Sequence, residues 1–284
     1  SIRVASQSTN DRHDIVMPGH IFPLIAKDKG VFARDGHTEG SVDLMKLAQL
    51  PTCAVICEVM SADGTMARYP ELKRLAQELK IPIMSIQDIE RYRTRHESWV
   101  QPTKTVALPT DLADNLLITI YKDTMLDAEY SVIHRPWSDE VPLVRLHSQC
   151  FTGDVLGSLR CDCGSQLTAA LKQIAQQGGV CIYAPQEGRG IGLAHKIEAY
   201  ALQDDGLDTV EANQHLGFEI DSRDYGVCAQ ILRHLGIDRI RLLSNNPLKV
   251  DGLRNYDIRV EERVSLSVKA NLFNEQYLRT KRDK

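Results

Sequence analysis

Apolar residues along the first hundred positions fall into short runs separated by polar segments of helical period. TCAVICEVM is a compact run rich in β-formers, and MARYPELKRLAQELK repeats apolar residues at helical spacing. IPIMSI predicts another strand, followed by a charged helix, DIERYRTRHESW. Strand-then-helix alternation of this kind predicts an α/β layer. A polar hinge follows at 100–108, VQPTKTVAL, with Pro102 and Pro109 bracketing the start of a new unit. The expected organisation is one domain over 1–100 and a second over 104–284.

In the second part, LLITIYKD and YSVIHRP predict strands of a mainly antiparallel region, and PLVRLHSQC predicts a strand that delivers its end to a loop. SQLTAALKQIAQQGG reads as a helix stopped by a glycine pair, and VCIYAP as a strand. LAHKIEAYALQDDG and DYGVCAQILRHLG read as helices, and DRIRLLS as a strand running into NNPLK. The fold class expected is α/β or α+β, with the chemistry where strands end.

Composition narrows the setting. Of 284 residues, 43% are hydrophobic and 25% charged, the balance of a chain with a proper core. The net charge of −4, with no long basic run, argues against nucleic-acid and anionic-membrane partners. No apolar stretch approaches the roughly 18–20 residues of a membrane span. The N-terminal SIRVASQSTNDRHD lacks an apolar signal core, so a cytoplasmic location is expected.

Seven cysteines are present, and Cys150, Cys161 and Cys163 crowd together. In a reducing compartment such a cluster suggests a metal before it suggests disulfides. Thiolates suit zinc, and three of them leave one position open for a water activated near neutral pH. A closed structural site, completed by Cys181 or His147, is equally compatible with the spacing. Cys181 lies inside an apolar run, where an inert buried thiol is the simpler reading, and Cys53, Cys57 and Cys228 read as core cysteines.

After VCIYAP comes QEGRGIG and a helix. Gly188, Gly190 and Gly192 allow a tight turn, the helix start offers N–H groups to an anion, and Arg189 adds a phosphate contact. Leu193 excludes a Rossmann fingerprint, and no Gly-Lys-Ser/Thr follows. The simpler alternative is a plain strand-to-helix turn, but Glu187 offers a carboxylate able to accept N–H groups from a guanine edge. Asp221 and Arg223, two apart in DSRDY, suit a base and a phosphate-binding cation; alone, each would be an ordinary salt bridge or cap.

Taken together, RLHSQCFTGDVLGSLRCDCGSQL, QEGRGIGL, AYALQDDGLDTVEAN, DSRDY and SNNPLKV resemble GTP cyclohydrolase II, in order, over about 180 residues. The resemblance implies a mixed sheet with flanking helices. It also implies conversion of GTP to 2,5-diamino-6-(5-phosphoribosylamino)pyrimidin-4(3H)-one, formate and pyrophosphate, the first committed step of riboflavin biosynthesis. By this resemblance Cys150, Cys161 and Cys163 hold a catalytic zinc whose hydroxide attacks C8 of the purine. Arg145, Leu146, His147, Ser148, Gln149, Gln166, Glu187, Gly188, Arg189, Thr209, Ser244 and Lys249 bind GTP. Asp221 matches the general base, and Arg223 the group acting on the α-phosphate, with Mg²⁺ on the triphosphate. Tyr200 matches the tyrosine of the second hydrolytic step, so full deformylation is expected. A homodimer is implied as well. Gln149 stands where Glu is usual, Pro185 where Arg is common, and Ser244 where Thr is usual.

The segment MPGHIFPLIAKDKGVFARDGHTEGSVDLMKLAQL, with ICEVMSADGTMARYPEL, resembles the C-terminal half of 3,4-dihydroxy-2-butanone-4-phosphate synthase. That resemblance makes His37 a Mg²⁺ ligand, Arg34 and Thr38 phosphate ligands and Glu58 an acid–base residue. The acidic metal-binding loop of that family has no counterpart here, so the expectation is a fragment of a bifunctional protein whose synthase half is inactive. Two rival readings stand beside the enzyme. One is a non-catalytic cyclohydrolase-like domain regulating an attached synthase, motivated by Gln149 and Pro185; the other is a nucleotide-binding module with a structural zinc.

Overall fold

Segments of helical period in the first part of the chain form helices, whereas the runs read as strands find no partner strand among the described residues. The computed structural model describes residues 2–7, 11, 13–16, 18–218, 221 and 223–266. It comprises two units, Ser1–His96 and Glu97–Lys284. The first unit holds α1 (Ile2–Ala5), a 3-10 turn at Gly30–Phe32, α2 (His37–Leu47), α3 (Tyr69–Leu79) and α4 (Ile86–His96). Pro70 sits in the first turn of α3, where its missing N–H costs nothing, and Lys80 ends that helix in the left-handed conformation.

Asp43 of α2 is buried and ties this unit together. It accepts the Val31 N–H at 2.9 Å and Arg93 Nη1 of α4 at 2.7 Å. Gly30, at φ +62°, faces it so closely that a Cβ would lie 2.1 Å from Asp43 Oδ2. Residues 52–60 and 81–85 run without forming strands, and among the described residues their sole ladder contact is an isolated bridge between Met60 and Met66. Val55 is 71% exposed and Ile83 47%. β propensity alone does not make a strand, which exists only where another strand takes its N–H and C=O groups.

The second unit is built on one mixed sheet: β1 (Val100–Pro102), β2 (Val106–Leu108), β3 (Leu116–Asp123), β4 (Ala128–Arg135), β5 (Leu143–Ser148), β6 (Gly179–Ala184), β7 (Arg239–Leu243) and β8 (Arg259–Val264). Their order is β1-β3-β4-β6-β5-β7-β8, with β2 also on β3. The β3–β4 pairing is antiparallel, as expected from the sequence, and β4 pairs antiparallel with β6 as well, but β6, β5, β7 and β8 run parallel. Among the described residues, five α-helices accompany the sheet: α5 (Cys163–Gln177), α6 (Gly192–Asp204), α7 (Thr209–His215), α8 (Gly226–His234) and α9 (Leu248–Arg254). The polar TVEAN segment forms most of α7.

Strand periodicity sorts β5 onto two cores. Val144 and Leu146 pack with Val227, Ile231 and Leu232 of α8 and Leu253 of α9, while Leu143 packs with Ala170, Leu171 and Ile174 of α5. Fully burying each such Leu or Ile stabilises by about 1.5–3 kcal/mol. The same alternation puts Arg145 and His147 on the α5 side, inside the protein. No helix among the described residues is long and apolar enough to cross a membrane.

Candidate active site

The carboxyl ends of parallel β5 and β6 lie side by side, with Ser148 opposite Ala184. Loops leaving such ends are where open α/β sheets place ligands. Cys150 leaves β5 and enters a π-helical turn, Phe151–Val155, a rare element concentrated at functional sites. Cys161 and Cys163 arrive at the start of α5. The three Sγ atoms lie within 4.8 Å of one another, with Cys150 and Cys161 3.7 Å apart. Two thiolates on one tetrahedral zinc, each at about 2.3 Å, stand about 3.8 Å apart, so the spacing fits that ion.

Gly153 makes this cradle possible. A Cβ there would lie 2.8 Å from Cys161 Sγ and 3.1 Å from Cys150 Sγ. Neither alternative fourth ligand belongs to the cluster. His147 Nε2 is held by Asp154, and Cys181 is a fully buried thiol pushed up to about 12 by desolvation. The thiols share protons unequally. Hydrogen bonds from Cys161 and Cys163, then from Lys196, hold Cys150 far below the ordinary thiol range, while the bond to Cys150 raises Cys161 to about 11. Cys163 is raised in the same way. One thiolate forms readily, and a bound cation would be needed to deprotonate all three.

A buried polar layer supports the cradle. The Asp154 carboxylate accepts the Cys150 N–H at 3.0 Å, the Tyr183 hydroxyl at 3.0 Å and His147 Nε2 at 3.1 Å. Arg145 donates to Leu243 O at 3.0 Å and to Gln166 Oε1 at 2.7 Å, and its Nη2 stands 3.4 Å from His147 Nδ1. Gln166 in turn donates to Asp162, between the two α5 cysteines. Burial first, with the Arg145 charge adding to it, lowers the His147 pKa despite Asp154, so the ring is neutral.

Above this layer opens a cleft with a cavity volume of about 130 Å³. Ser148, Gln149, the three cysteines, Glu187, Gly188, Arg189, Tyr200 and Arg223 line it together. Arg145, Leu146, His147, Gln166, Ser244 and Lys249 do not; all are buried. Lys249 Nζ donates to Leu146 O at 2.7 Å, and Ser244 Oγ accepts the Asn246 N–H at 3.1 Å. Thr209 opens α7, but its side chain lies outside the described residues.

In the glycine-rich turn, Gly188 and Arg189 have φ of +60° and +62°. A left-handed arginine is costly, and such conformations gather at functional sites. Glu187 accepts the Phe151 N–H at 2.6 Å and the Gly188 N–H at 3.1 Å, joining this turn to the cysteine loop. Asp221 and Arg223 form a two-point ion pair, with Arg223 Nε 2.7 Å from Asp221 Oδ1. Desolvation pulls the Asp221 carboxyl upward, but Arg223 outweighs it and the pKa is lowered. Tyr200 is raised by desolvation, and its hydroxyl is 3.3 Å from Thr152 Oγ1.

Several cleft residues escape a sequence reading. Arg160 lies with its guanidinium 5.0 Å from the Tyr200 ring centroid. Lys196, Tyr200 and Gln203 share one face of α6, at spacings of four and seven, and that periodicity is the signal that could have found Lys196 and Gln203. Asp154, in the buried layer, gives no such signal, because it lies in an irregular turn and no period links it to Cys150, His147 and Tyr183. In the first unit, His37 and Thr38 open α2 and Arg34 Nε is 4.0 Å from Glu39 Oε2, while Glu58 lies exposed in the extended 52–60 run.

A thiol cradle at the strand ends of a mixed sheet, opening into a cleft lined by arginines and a left-handed glycine turn, has the make-up of an enzyme site able to hold a metal ion. The chain belongs to the GTP cyclohydrolase II family, whose model matches residues 101–265. The model for 3,4-dihydroxy-2-butanone 4-phosphate synthase matches residues 1–92. The riboflavin biosynthesis protein RibBA of Cytophaga hutchinsonii is 48% identical over 286 residues, covering 100% of this chain and 71% of the relative. RibBA of Bacillus cytotoxicus is 48% identical over 284 residues, covering 99% and 71%. Among solved structures, RibBX of A. baumannii, a two-domain 3,4-dihydroxy-2-butanone 4-phosphate synthase, superposes with a TM-score of 0.60 at 28% identity, covering 94% of this chain and 69% of that one. The chain is a GTP cyclohydrolase II enzyme with a synthase-related part ahead of it.

Proposed function

We propose that residues 104–284 convert GTP to 2,5-diamino-6-(5-phosphoribosylamino)pyrimidin-4(3H)-one, formate and pyrophosphate, as the first committed step of riboflavin biosynthesis, and that residues 1–100 form the synthase-related domain. The carrying observation is that the three-thiol cradle opens into the same cleft as Glu187, Arg189, Tyr200 and Arg223. Cys150, Cys161 and Cys163 would hold zinc, which when bound supplies Lewis-acid activation of the attacking water. Glu187 Oε2 keeps a lone pair beyond its bond to Phe151 and offers it to the guanine edge. Arg189 and Arg223 carry the planar donor forks suited to phosphate oxygens, with Mg²⁺ neutralising the rest of the triphosphate.

Asp221 is ionised at neutral pH but weakly basic while Arg223 holds it. Transfer of Arg223 to the α-phosphate would release that carboxylate to accept a proton when the ring opens. Tyr200, kept protonated by burial, would donate to the formamide oxygen in the second hydrolysis. The buried layer of Arg145, His147 and Gln166 would act from beneath, by holding the ligand loop. A cytoplasmic homodimer acting on free GTP, with no nucleic-acid or membrane partner, completes the reading.

A second reading, a cyclohydrolase-like domain that regulates a synthase, is favoured by one observation: the A. baumannii neighbour is named for its synthase activity alone. Gln149 and Pro185 are its motive here, and the complete Tyr200, Asp221 and Arg223 set weighs against it. Metal dependence separates the two. Protein stripped by a chelator should lose formate release and regain it with one zinc per chain but not with Mg²⁺ alone. Full zinc occupancy without formate release would support the regulatory reading.

A further inference from the structure

The side chain of Lys196, on the cleft face of α6, is 12% exposed and touches both halves of the site. Its Nζ lies 2.7 Å from Glu187 Oε1 and 3.1 Å from Cys150 Sγ, and 5.7 Å from the Tyr200 ring centroid. We propose that Lys196 is a positioning residue that couples purine recognition to the metal ligands by bridging Glu187 and Cys150. The inference rests on the cyclohydrolase reading and adds to it a cleft residue that acts through Glu187 and Cys150.

Two physical arguments support it. Three thiolates around a divalent cation carry one excess negative charge, and the ammonium beside Cys150 offsets that charge where solvent is scarce. Glu187 has two carboxylate oxygens. Lys196 and the Gly188 N–H occupy Oε1 and the Phe151 N–H takes one position on Oε2, so a single acceptor direction is left for a base. The lysine therefore fixes the carboxylate's rotation, and with it the distance between the bound purine and the thiols. Glu187 and Cys150 are pulled toward one cation. Without it, a nearly buried carboxylate and a thiolate would repel across the same gap.

The test uses the zinc-loaded full chain with Lys196→Met, Lys196→Arg, Glu187→Gln and the Lys196→Met/Glu187→Gln pair. Lys196→Met should weaken zinc binding, measured against a competing chelator without turnover, by roughly tenfold, the usual cost of losing an outer-shell partner. It should also raise the KM for GTP by a similar factor, and Lys196→Arg should recover most of both losses. In the Glu187→Gln background the KM effect should vanish while the zinc effect remains, because the lysine reaches GTP through Glu187. Unchanged zinc affinity and KM in a folded Lys196→Met protein, or an equal KM effect in the Glu187→Gln background, would overturn the proposal. Should Lys196→Met not fold, failure of Lys196→Arg to retain near-normal zinc affinity and KM would overturn it. Wild-type protein that binds zinc yet releases no formate would instead overturn the cyclohydrolase reading, leaving the chelator measurement to judge the lysine alone.

Discussion

Asp154→Asn is the substitution whose outcome the structure determines most fully. The wild-type side chain is 3% exposed and serves three donors: His147 Nε2–H, the Cys150 N–H and the Tyr183 hydroxyl. His147 Nδ1 faces Arg145 Nη2, a group that only donates, so the neutral ring must place its proton on Nε2 and direct it at Asp154. An amide presents one oxygen and one NH₂, and in either orientation the NH₂ meets a donor. One buried donor left unpaired costs about 1–3 kcal/mol. Removing the negative charge near the buried Arg145 adds to this, and breaking a buried charged network typically costs about 3–5 kcal/mol. The expected loss is about 3 kcal/mol, equivalent at about 2–4 °C per kcal/mol to a Tm lower by about 6–12 °C. Both tryptophans, Trp99 and Trp137, lie in the second unit, so their fluorescence follows its unfolding in urea. A loss below about 0.5 kcal/mol in metal-free protein, within the range of ordinary surface substitutions, would refute this account of the buried layer.

Other substitutions probe the cradle and the cleft. Gly153→Ala places a methyl 2.8 Å from Cys161 Sγ and should reduce zinc per chain well below one by metal analysis, while far-UV dichroism stays native. Tyr200→Phe should keep pyrophosphate release while slowing formate release, roughly 10²-fold or more for loss of a general acid, so a formamide intermediate should build up in a mass spectrum. His147 and His134 both have pKa values lowered by burial, so below their unfolded value of about 6.5 the unfolded chain takes up protons that the folded chain refuses. Stability should accordingly be full above pH 6.5 and fall as pH drops below it, by up to about 1.4 kcal/mol per unit for buried His147 and by less for half-exposed His134, read from urea midpoints; a flat profile from pH 7 to 5.5 would contradict this.

Most elements of the second unit were legible because their apolar periods are clean. The β3, β4 and β6 runs alternate or are wholly apolar, and α5 ends at Gly178, whose φ of +80° suits the glycine pair read as a stop. The parallel half of the sheet was not legible, because strand direction depends on which helix crosses over which face. In the first unit, 52–60 and 81–85 have strand composition, yet no described strand offers them a ladder. The three cysteines announced themselves through spacing, and Gly188 and Arg189 through glycine density. Arg145 and His147 were expected at the substrate, although their shared parity with Leu143 on β5 points them into the protein. Asp154 was invisible because no period links it to His147, Cys150 and Tyr183, which meet it only through the loops at the strand ends, whereas Lys196 left only the weak signal of one face of α6.

The central claim, that this cradle and cleft carry out cyclohydrolase chemistry, is tested most directly by following formate and pyrophosphate from GTP with zinc-loaded protein and Mg²⁺. The account predicts equal amounts of both products from the wild-type chain and neither from Cys161→Ser. Zinc-saturated wild-type protein that releases no formate, or Cys161→Ser protein that releases it at the wild-type rate, would contradict it.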